Sequence, residues 1–282
     1  MKRKFLSLMA MSLSAVILLG GCGTSSSLKD AKSQAANDAG TFKIGLECAY
    51  APFNWTQMDS SNGAVKIDGS EEYAGGYDIE IAKKIADGLG KKLVVVKTEW
   101  DGLVPALTSG KIDAIIAGMS PTAKRKETID FTDNYYKSNL VMVVKKGGKY
   151  DNAASIQDFS GAKITAQLNT FHYSVIEQIK GVQKKTAMDN FPAMRVALQS
   201  GVIDGYVSER PEGVSASSAN PDFKMVEFKD GFVTSQDDTS IAVGVAKGSD
   251  LTLKINKILS TISEQQQKTI MDTAIKNQPA AK

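Results

Sequence analysis

Two thirteen-residue stretches, ALTSGKIDAIIAG at 106–118 and ALQSGVIDGYVSE at 197–209, align without a gap at an offset of 91 residues. They share Ala, Leu, Ser, Gly, Ile and Asp, six of the thirteen positions. Each has the form of a helix end, a glycine suited to close that helix, and an apolar strand. A chance likeness of two helix-to-strand junctions is one explanation. The other is that the chain builds two related α/β lobes, each presenting a strand end to a shared cleft. Ligands bind outside the carboxyl ends of strands in open α/β sheets. On that reading Lys163-Ile164-Thr165 plays in the second lobe the part of Lys43-Ile44-Gly45 in the first.

The surroundings of the repeat agree with an α/β chain of 282 residues, long enough for two modest cores. Lys43–Leu46 reads as a short strand. Ile81, Ile85 and Leu89 recur at helical spacing in YDIEIAKKIADGLG. Leu93–Val96 is wholly apolar and β-branched, as a buried parallel strand is. Gly102–Ser109 is expected to be a short helix closed by Gly110, and Ile112–Ala117 the next strand. This βαβαβ order predicts a parallel sheet covered by helices. The polar stretch from Asp59 to Gly76 reads as a surface hairpin or loop. No run of eighteen apolar residues follows the N-terminus, so no bilayer span is expected there.

The first residues have a different character. Lys2, Arg3 and Lys4 precede an apolar stretch from Phe5 to Leu19, and then come Gly20, Gly21 and Cys22. This arrangement resembles the lipobox of bacterial lipoproteins. The resemblance implies a signal peptide over 1–21, lipid attachment to the Cys22 sulfur, and a membrane-anchored protein. An ordinary secretory signal that happens to end at a cysteine is the alternative. Residues 22–40 then read as a polar tether with a coil dimension of roughly 20–25 Å. The formal charge of +3 comes from the three basic residues of the signal, so the mature part balances at zero. No basic patch suggests nucleic acid. Cys22 and Cys48 are the only cysteines and His172 the only histidine, which argues against a His-based triad or a multi-histidine metal site. No cofactor and no metal is expected.

Three segments carry polar chemistry near strand ends. In GMSPTAKRKE (118–127), Ser120 suits an N-cap and Pro121 the first helical position, which predicts a helix N-terminus able to attract an anion. Arg125 in its first turns offers a planar fork to a carboxylate. A solvated Lys-Arg-Lys face explains the run equally well. Glu209 ends the second repeat, where it either meets an ammonium or pairs with its neighbour Arg210. Glu47, Tyr50 and Phe53 follow the first strand and Trp100 follows another. An acid among aromatic rings can hold a cationic side chain by charge and stacking, whereas Phe53 also suits the core.

KIGLECAYAPF, GGYDIEIAKKIADGLG, EWDGLVPALTSGKIDAIIAGMSPTAKRKETIDFTDNYY and SGVIDGYVSERPEG together resemble the polar amino-acid-binding proteins of ABC importers, solute-binding family 3. The likeness runs from Thr41 to the C-terminus. It implies a two-lobed, type II periplasmic-binding-protein-like fold of mixed sheets flanked by helices, closing on the ligand about a two-strand hinge. Lobe 1 would be 41–138 plus 239–282 and lobe 2 139–238, with crossings near 136–140 and 236–240. By motif position, Arg125 takes the ligand carboxylate with the backbone N–H groups of Ser120 and Thr170. The ligand amino group meets Glu209, the Gly118 carbonyl and the Ser120 hydroxyl. Tyr50 and Trp100 sandwich the ligand side chain, Glu47 confers cationic preference, and Phe53 and Phe171 are further side-chain contacts. Glu209 stands where many relatives have Asp, and Leu168-Asn169-Thr170 where many have Gly-Thr-Thr. Phe171 and His172 follow directly.

The function implied is an extracytoplasmic substrate-binding component, on the outer face of the cell membrane, for arginine or lysine, with histidine or glutamine next. Its partners would be the free L-amino acid, the ABC permease and the membrane through its anchor, with the protein itself a monomer. Two other readings share the fold: a prephenate- or arogenate-type dehydratase, and a ligand-sensing module.

Overall fold

Short buried strands alternate with capped helices from Thr41 to Asn277. The computed structural model describes residues 40–279. The expected signal segment at 1–21, the lipidation site Cys22 and the tether up to residue 39 lie outside the described residues.

The chain forms β1 (Thr41–Leu46), β2 (Ala49–Tyr50), β3 (Asn54–Gln57), β4 (Val65–Lys66), β5 (Tyr73–Gly75), α1 (Tyr77–Leu89) and β6 (Lys92–Lys97). Next come α2 (Leu103–Thr108), β7 (Ala114–Ile115), α3 (Ala123–Lys126), β8 (Ile129–Lys137), β9 (Leu140–Lys145) and β10 (Lys163–Thr165). Then follow α4 (Phe171–Val175), β11 (Gln183–Lys184), α5 (Phe191–Ser200), β12 (Gly205–Glu209), α6 (Arg210–Ala219) and β13 (Phe223–Val226). The last elements are β14 (Ser240–Ala246), α7 (Leu251–Leu259) and α8 (Glu264–Asn277).

Two five-stranded sheets share one plan. The first has the order β6-β1-β7-β14-β8 and the second β11-β10-β12-β9-β13. In each, three parallel strands are joined by an antiparallel pair at one edge. The chain passes from the first sheet to the second between Lys137 and Leu140, and returns between Val226 and Ser240. The segment read as a surface hairpin or loop supplies two short strands, β4 and β5, to a smaller antiparallel sheet, β2-β3-β5-β4.

The repeat is reproduced in the register. Ile44 pairs with Ala114 and Ile164 with Gly205, so the second member of each pair keeps the 91-residue offset. The shared aspartates do the same work: Asp113 Oδ2 accepts from Lys43 N at 2.7 Å, and Asp204 Oδ2 from Lys163 N at 2.8 Å. Gly110 and Gly201 close their helices at φ of +76° and +79°, a conformation that costs a side-chain-bearing residue more.

The apolar periodicity of α1 buries Ile79, Ile81, Ala82 and Ile85 beneath the first sheet, beside Phe42, Ile44 and Leu46. Met142, Val144, Phe159, Ile164 and Val207 form the core of the second. Burying one such side chain contributes about 1.5–3 kcal/mol.

Two expectations are corrected. The strand read over Ile112–Ala117 pairs only at Ala114–Ile115, because the chain leaves the sheet toward Gly118, whose φ is +62°. The helix expected from Ser120–Pro121 starts later. Thr122 is its N-cap, and the Thr122 hydroxyl accepts from Arg125 N at 3.4 Å. Ser120 instead donates its hydroxyl to the Asp238 carbonyl at 2.9 Å. A single helical turn has little dipole to offer an anion, so anion recognition in this loop falls to the Arg125 guanidinium.

Candidate functional site

The strand ends of the two sheets meet around three buried acids. Glu47 lies in the loop after β1, Asp78 in the first turn of α1, and Glu209 at the end of β12; all three are almost wholly removed from solvent. Contacts between the two halves fix Glu47 and Glu209. Tyr50 of β2 donates its hydroxyl to Glu209 Oε2. Gln167, after β10, donates its amide to Glu47 Oε2 at 2.9 Å and to the Asp189 carbonyl at 2.9 Å. Asn169 accepts an Arg125 N–H on its carbonyl at 3.2 Å and donates to Asp101 Oδ1 at 2.9 Å.

Two of the three acids are incompletely compensated. Oε1 of Glu47 and Oε1 of Glu209 are buried without a hydrogen-bond partner. Burial pushes the Glu47 carboxyl up to about 8, against the pull of the Gln167 hydrogen bond; Glu99 and Asp78 add to the rise. Asp78 is raised to about 7, again mainly by burial, although Asn54 Nδ2 donates to it at 2.8 Å and the Tyr135 hydroxyl at 2.7 Å. Glu209 raises it further. Tyr50 is driven well above the ordinary phenol range by burial and by Glu209.

Arg125 is the cation of the site. Its guanidinium donates to the Ser120 carbonyl at 2.9 Å and lies 5.1 Å from the centre of the Trp100 ring. Burial lowers it to about 10, while Glu209 and Asp238 act to raise it, so it stays charged at neutral pH. Its neighbours Lys124 and Lys126 are exposed, and Lys126 pairs with Asp237 at 2.6 Å. The basic run thus divides, with Arg125 turned inward. Arg210 pairs with Glu227 at 2.7 Å rather than with Glu209, which leaves the Glu209 carboxylate for the site.

The aromatic residues are arranged differently from the expected sandwich of Tyr50 and Trp100. The Tyr50 ring stacks on Phe191 at 4.3 Å and 5°, and Trp100 packs over Arg125. Phe53 is fully buried among Tyr50, Tyr77 and Tyr136, a core position behind Tyr50. Phe171 packs on His172 with 4.4 Å between ring centres. The Ser120 hydroxyl is engaged with Asp238, and the Thr170 hydroxyl donates to the Gln167 carbonyl at 2.6 Å. Gly118 lies against Tyr50: a Cβ there would come within 2.7 Å of Tyr50 Cε1.

Sequence reasoning missed Asn54, Asp78, Tyr135, Gln167 and Phe191. Asp78 sits in the first turn of an amphipathic helix, where an acid ordinarily serves the helix dipole in solvent. Phe191 follows the N-cap Asn190, whose Oδ1 accepts from Ala193 N at 3.0 Å, and is indistinguishable in sequence from a core residue. A cavity of about 400 Å³ lined by Glu99, Trp100, Asp101, Leu168, Asp189 and Asn190 adjoins Trp100 and adds three acids. A larger groove of about 1030 Å³ between α1 and α7 shares none of these residues.

Bacterial extracellular solute-binding proteins, family 3, are matched over residues 42–274. The chain belongs to this family. This family-3 solute-binding protein is 31% identical over 221 residues to a probable histidine-binding protein of Campylobacter jejuni, covering 78% of this chain and 79% of that one. An arginine-binding extracellular protein of Bacillus subtilis is 25% identical over 258 residues, 88% of this chain and 92% of the relative. Among solved structures, an amino acid ABC transporter substrate-binding protein from Streptococcus pneumoniae bound to L-arginine superposes with a TM-score of 0.74 at 27% identity. That match covers 86% of this chain and 97% of that chain. The fold is therefore the two-lobed type II solute-binding fold, and the family is one of transport proteins rather than of dehydratases.

Proposed function

We propose that this family-3 protein is the extracytoplasmic substrate-binding component of an amino-acid ABC importer and binds a cationic L-amino acid, arginine or lysine first. The observation that carries this reading is the charge pattern: one half-buried guanidinium, Arg125, against two buried carboxylates, Glu47 and Glu209, each with an unpartnered oxygen. A cationic amino acid at neutral pH carries the complementary set, one carboxylate and two cations. With its carboxyl raised to about 8, Glu47 is largely protonated in the empty site; a side-chain cation beside it favours the ionised form and gains a charge-assisted pairing that a neutral amino acid cannot make. The arginine-binding relatives support the same choice.

On this reading the Arg125 fork takes the ligand carboxylate, Glu209 the α-ammonium and Glu47 the side-chain cation, with Tyr50 holding Glu209 and Trp100 beside the Arg125 fork. Lobe 1 is 41–138 plus 239–282 and lobe 2 is 139–238. Binding draws them together about the two crossings, because the ligand links groups held on both. The signal at 1–21 and lipid on Cys22 would keep the protein at the outer membrane face, where it delivers its ligand to the permease.

Calorimetry against the twenty amino acids plus ornithine tests the function. Arginine or lysine should bind most tightly, with a Kd between about 1 nM and 10 μM. Arg125→Ala should lose about 3–5 kcal/mol, on the order of a hundredfold or more in Kd, because the ligand carboxylate is left unpaired; a Kd within about tenfold of the wild type would refute its role. Cys22→Ser should release the protein from the membrane fraction, and a variant that stays membrane-bound would count against the anchor.

A further inference from the structure

His172, in α4, is buried, and neither ring nitrogen has a hydrogen-bond partner. Its Nε2 lies 3.5 Å from Glu209 Oε1, which is likewise buried and unpartnered. An imidazole buried for packing alone ordinarily keeps one nitrogen satisfied. Here an imidazole nitrogen and a carboxylate oxygen face the same small region. A neutral imidazole with its proton on Nδ1 presents Nε2 as an acceptor. In that tautomer the two acceptors repel, and a donor cation that enters as they part by about 1 Å, to the spacing two N–H groups of one ammonium require, removes the repulsion. The Ser120 hydroxyl, expected to help hold the ligand amino group, has its proton committed to Asp238.

We propose that His172 joins Glu209 in forming the α-ammonium site, and that protonation of His172 and occupation by the ligand exclude each other. The proposal rests on the reading above that an amino acid binds here. An ammonium has three N–H donors, enough for Glu209 Oε1, His172 Nε2 and one further acceptor such as the Gly118 carbonyl. Once protonated, the imidazolium loses its acceptor lone pair and pairs with Glu209 itself, taking the place of the ligand cation. Acidification sufficient to protonate the imidazole would therefore weaken binding.

The charged and titratable groups around this pair come from several elements. Glu209 of β12 is the ionisable partner within ion-pair distance of the imidazole, and Tyr50 of β2 donates to the other Glu209 oxygen. Arg125 and Asp78 act through Glu209, and Glu212 of α6 acts on Tyr50. Phe171, the uncharged neighbour in α4, covers the ring.

The chain has a single histidine, so its imidazole resonances need no assignment by mutation. NMR titration of the intact protein with and without saturating L-arginine is the direct test. Arginine should lower the imidazole midpoint by at least about one pH unit. A midpoint unmoved by bound arginine overturns the proposal. If arginine fails to bind even at about pH 7.5, the function itself is wrong, which is a distinguishable result.

Calorimetry supplies an independent arm. Glu47 adds its own pH dependence for arginine, so the informative quantity is the difference between wild type and His172→Asn. On acidification the wild type should lose affinity more steeply than the variant, by up to about one factor of ten per pH unit, and bind with up to about one additional proton released. Superimposable pH profiles would overturn the proposal. Should the variant fail to fold, the NMR arm on the unaltered protein decides.

Discussion

Gln167 donates its side-chain amide to Glu47 Oε2 across 2.9 Å and so joins the loop after β10 to the loop after β1. It leaves Oε1 of the same carboxylate buried and unpartnered. The amide bond favours the ionised carboxylate but is outweighed by burial, which holds the carboxyl up at about 8. Glu47→Gln should therefore weaken arginine binding by about 3 kcal/mol, the scale of an unpaired buried charge. Glutamine binding should change by less than about 1 kcal/mol. Calorimetry with both ligands checks this, and equal losses would remove Glu47 from the side-chain pocket.

The same carboxyl sets a pH dependence of stability. Its value in the folded protein exceeds the ordinary 4.5, so between 4.5 and about 8 the native state holds more protons than the unfolded chain. Stability contributed by this group must then fall as pH rises through that window and level off above it. Glu47→Gln should melt higher than the wild type near pH 9, by a few kcal/mol of stability, with the gap closing toward pH 4.5. Thermal melts across the range measure it, and a gap that grows toward acid would contradict the sign.

Gly118 combines φ of +62° with a close approach to Tyr50. An alanine Cβ would sit 2.7 Å from Tyr50 Cε1, in a backbone region that favours glycine. Gly118→Ala should cost about 1–3 kcal/mol of stability and, by displacing the ring that donates to Glu209, at least about tenfold in ligand affinity. Denaturant melts and calorimetry separate the two; wild-type affinity in the variant would show that Tyr50 does not position Glu209.

Asp113 and Asp204 accept from equivalent backbone N–H groups of β1 and β10, at 2.7 and 2.8 Å. Asp113→Ala and Asp204→Ala should each cost about 1–2 kcal/mol. Because they serve separate sheets, the double variant should equal the sum within about 0.5 kcal/mol. Urea unfolding of the single and double variants tests this. Strong non-additivity would mean that the two junctions share partners.

Much of the fold was legible because the repeat joins a helix cap to a strand, a local pattern that dihedral preference and apolar periodicity fix together. The offset of 91 reappears in the pairing of Ala114 and Gly205 with β1 and β10. Helix α1 was readable from Ile81, Ile85 and Leu89. The helix start near Ser120 was misjudged because a serine followed by proline satisfies the capping pattern locally, whereas the Asp238 carbonyl, 118 residues away, claims its hydroxyl.

The paired α/β junctions, the acid and arginine at strand ends and the single histidine are readable in the chain, because each is a property of residue type and short spacing. Which charges meet is set by the packing of distant segments. That packing turned Arg125 inward and gave Arg210 to Glu227, stacked Phe191 on Tyr50, and set His172 beside Glu209. Those choices depend on how two sheets are brought together. The energy of a buried charge is set by everything around it, not by its neighbours along the chain.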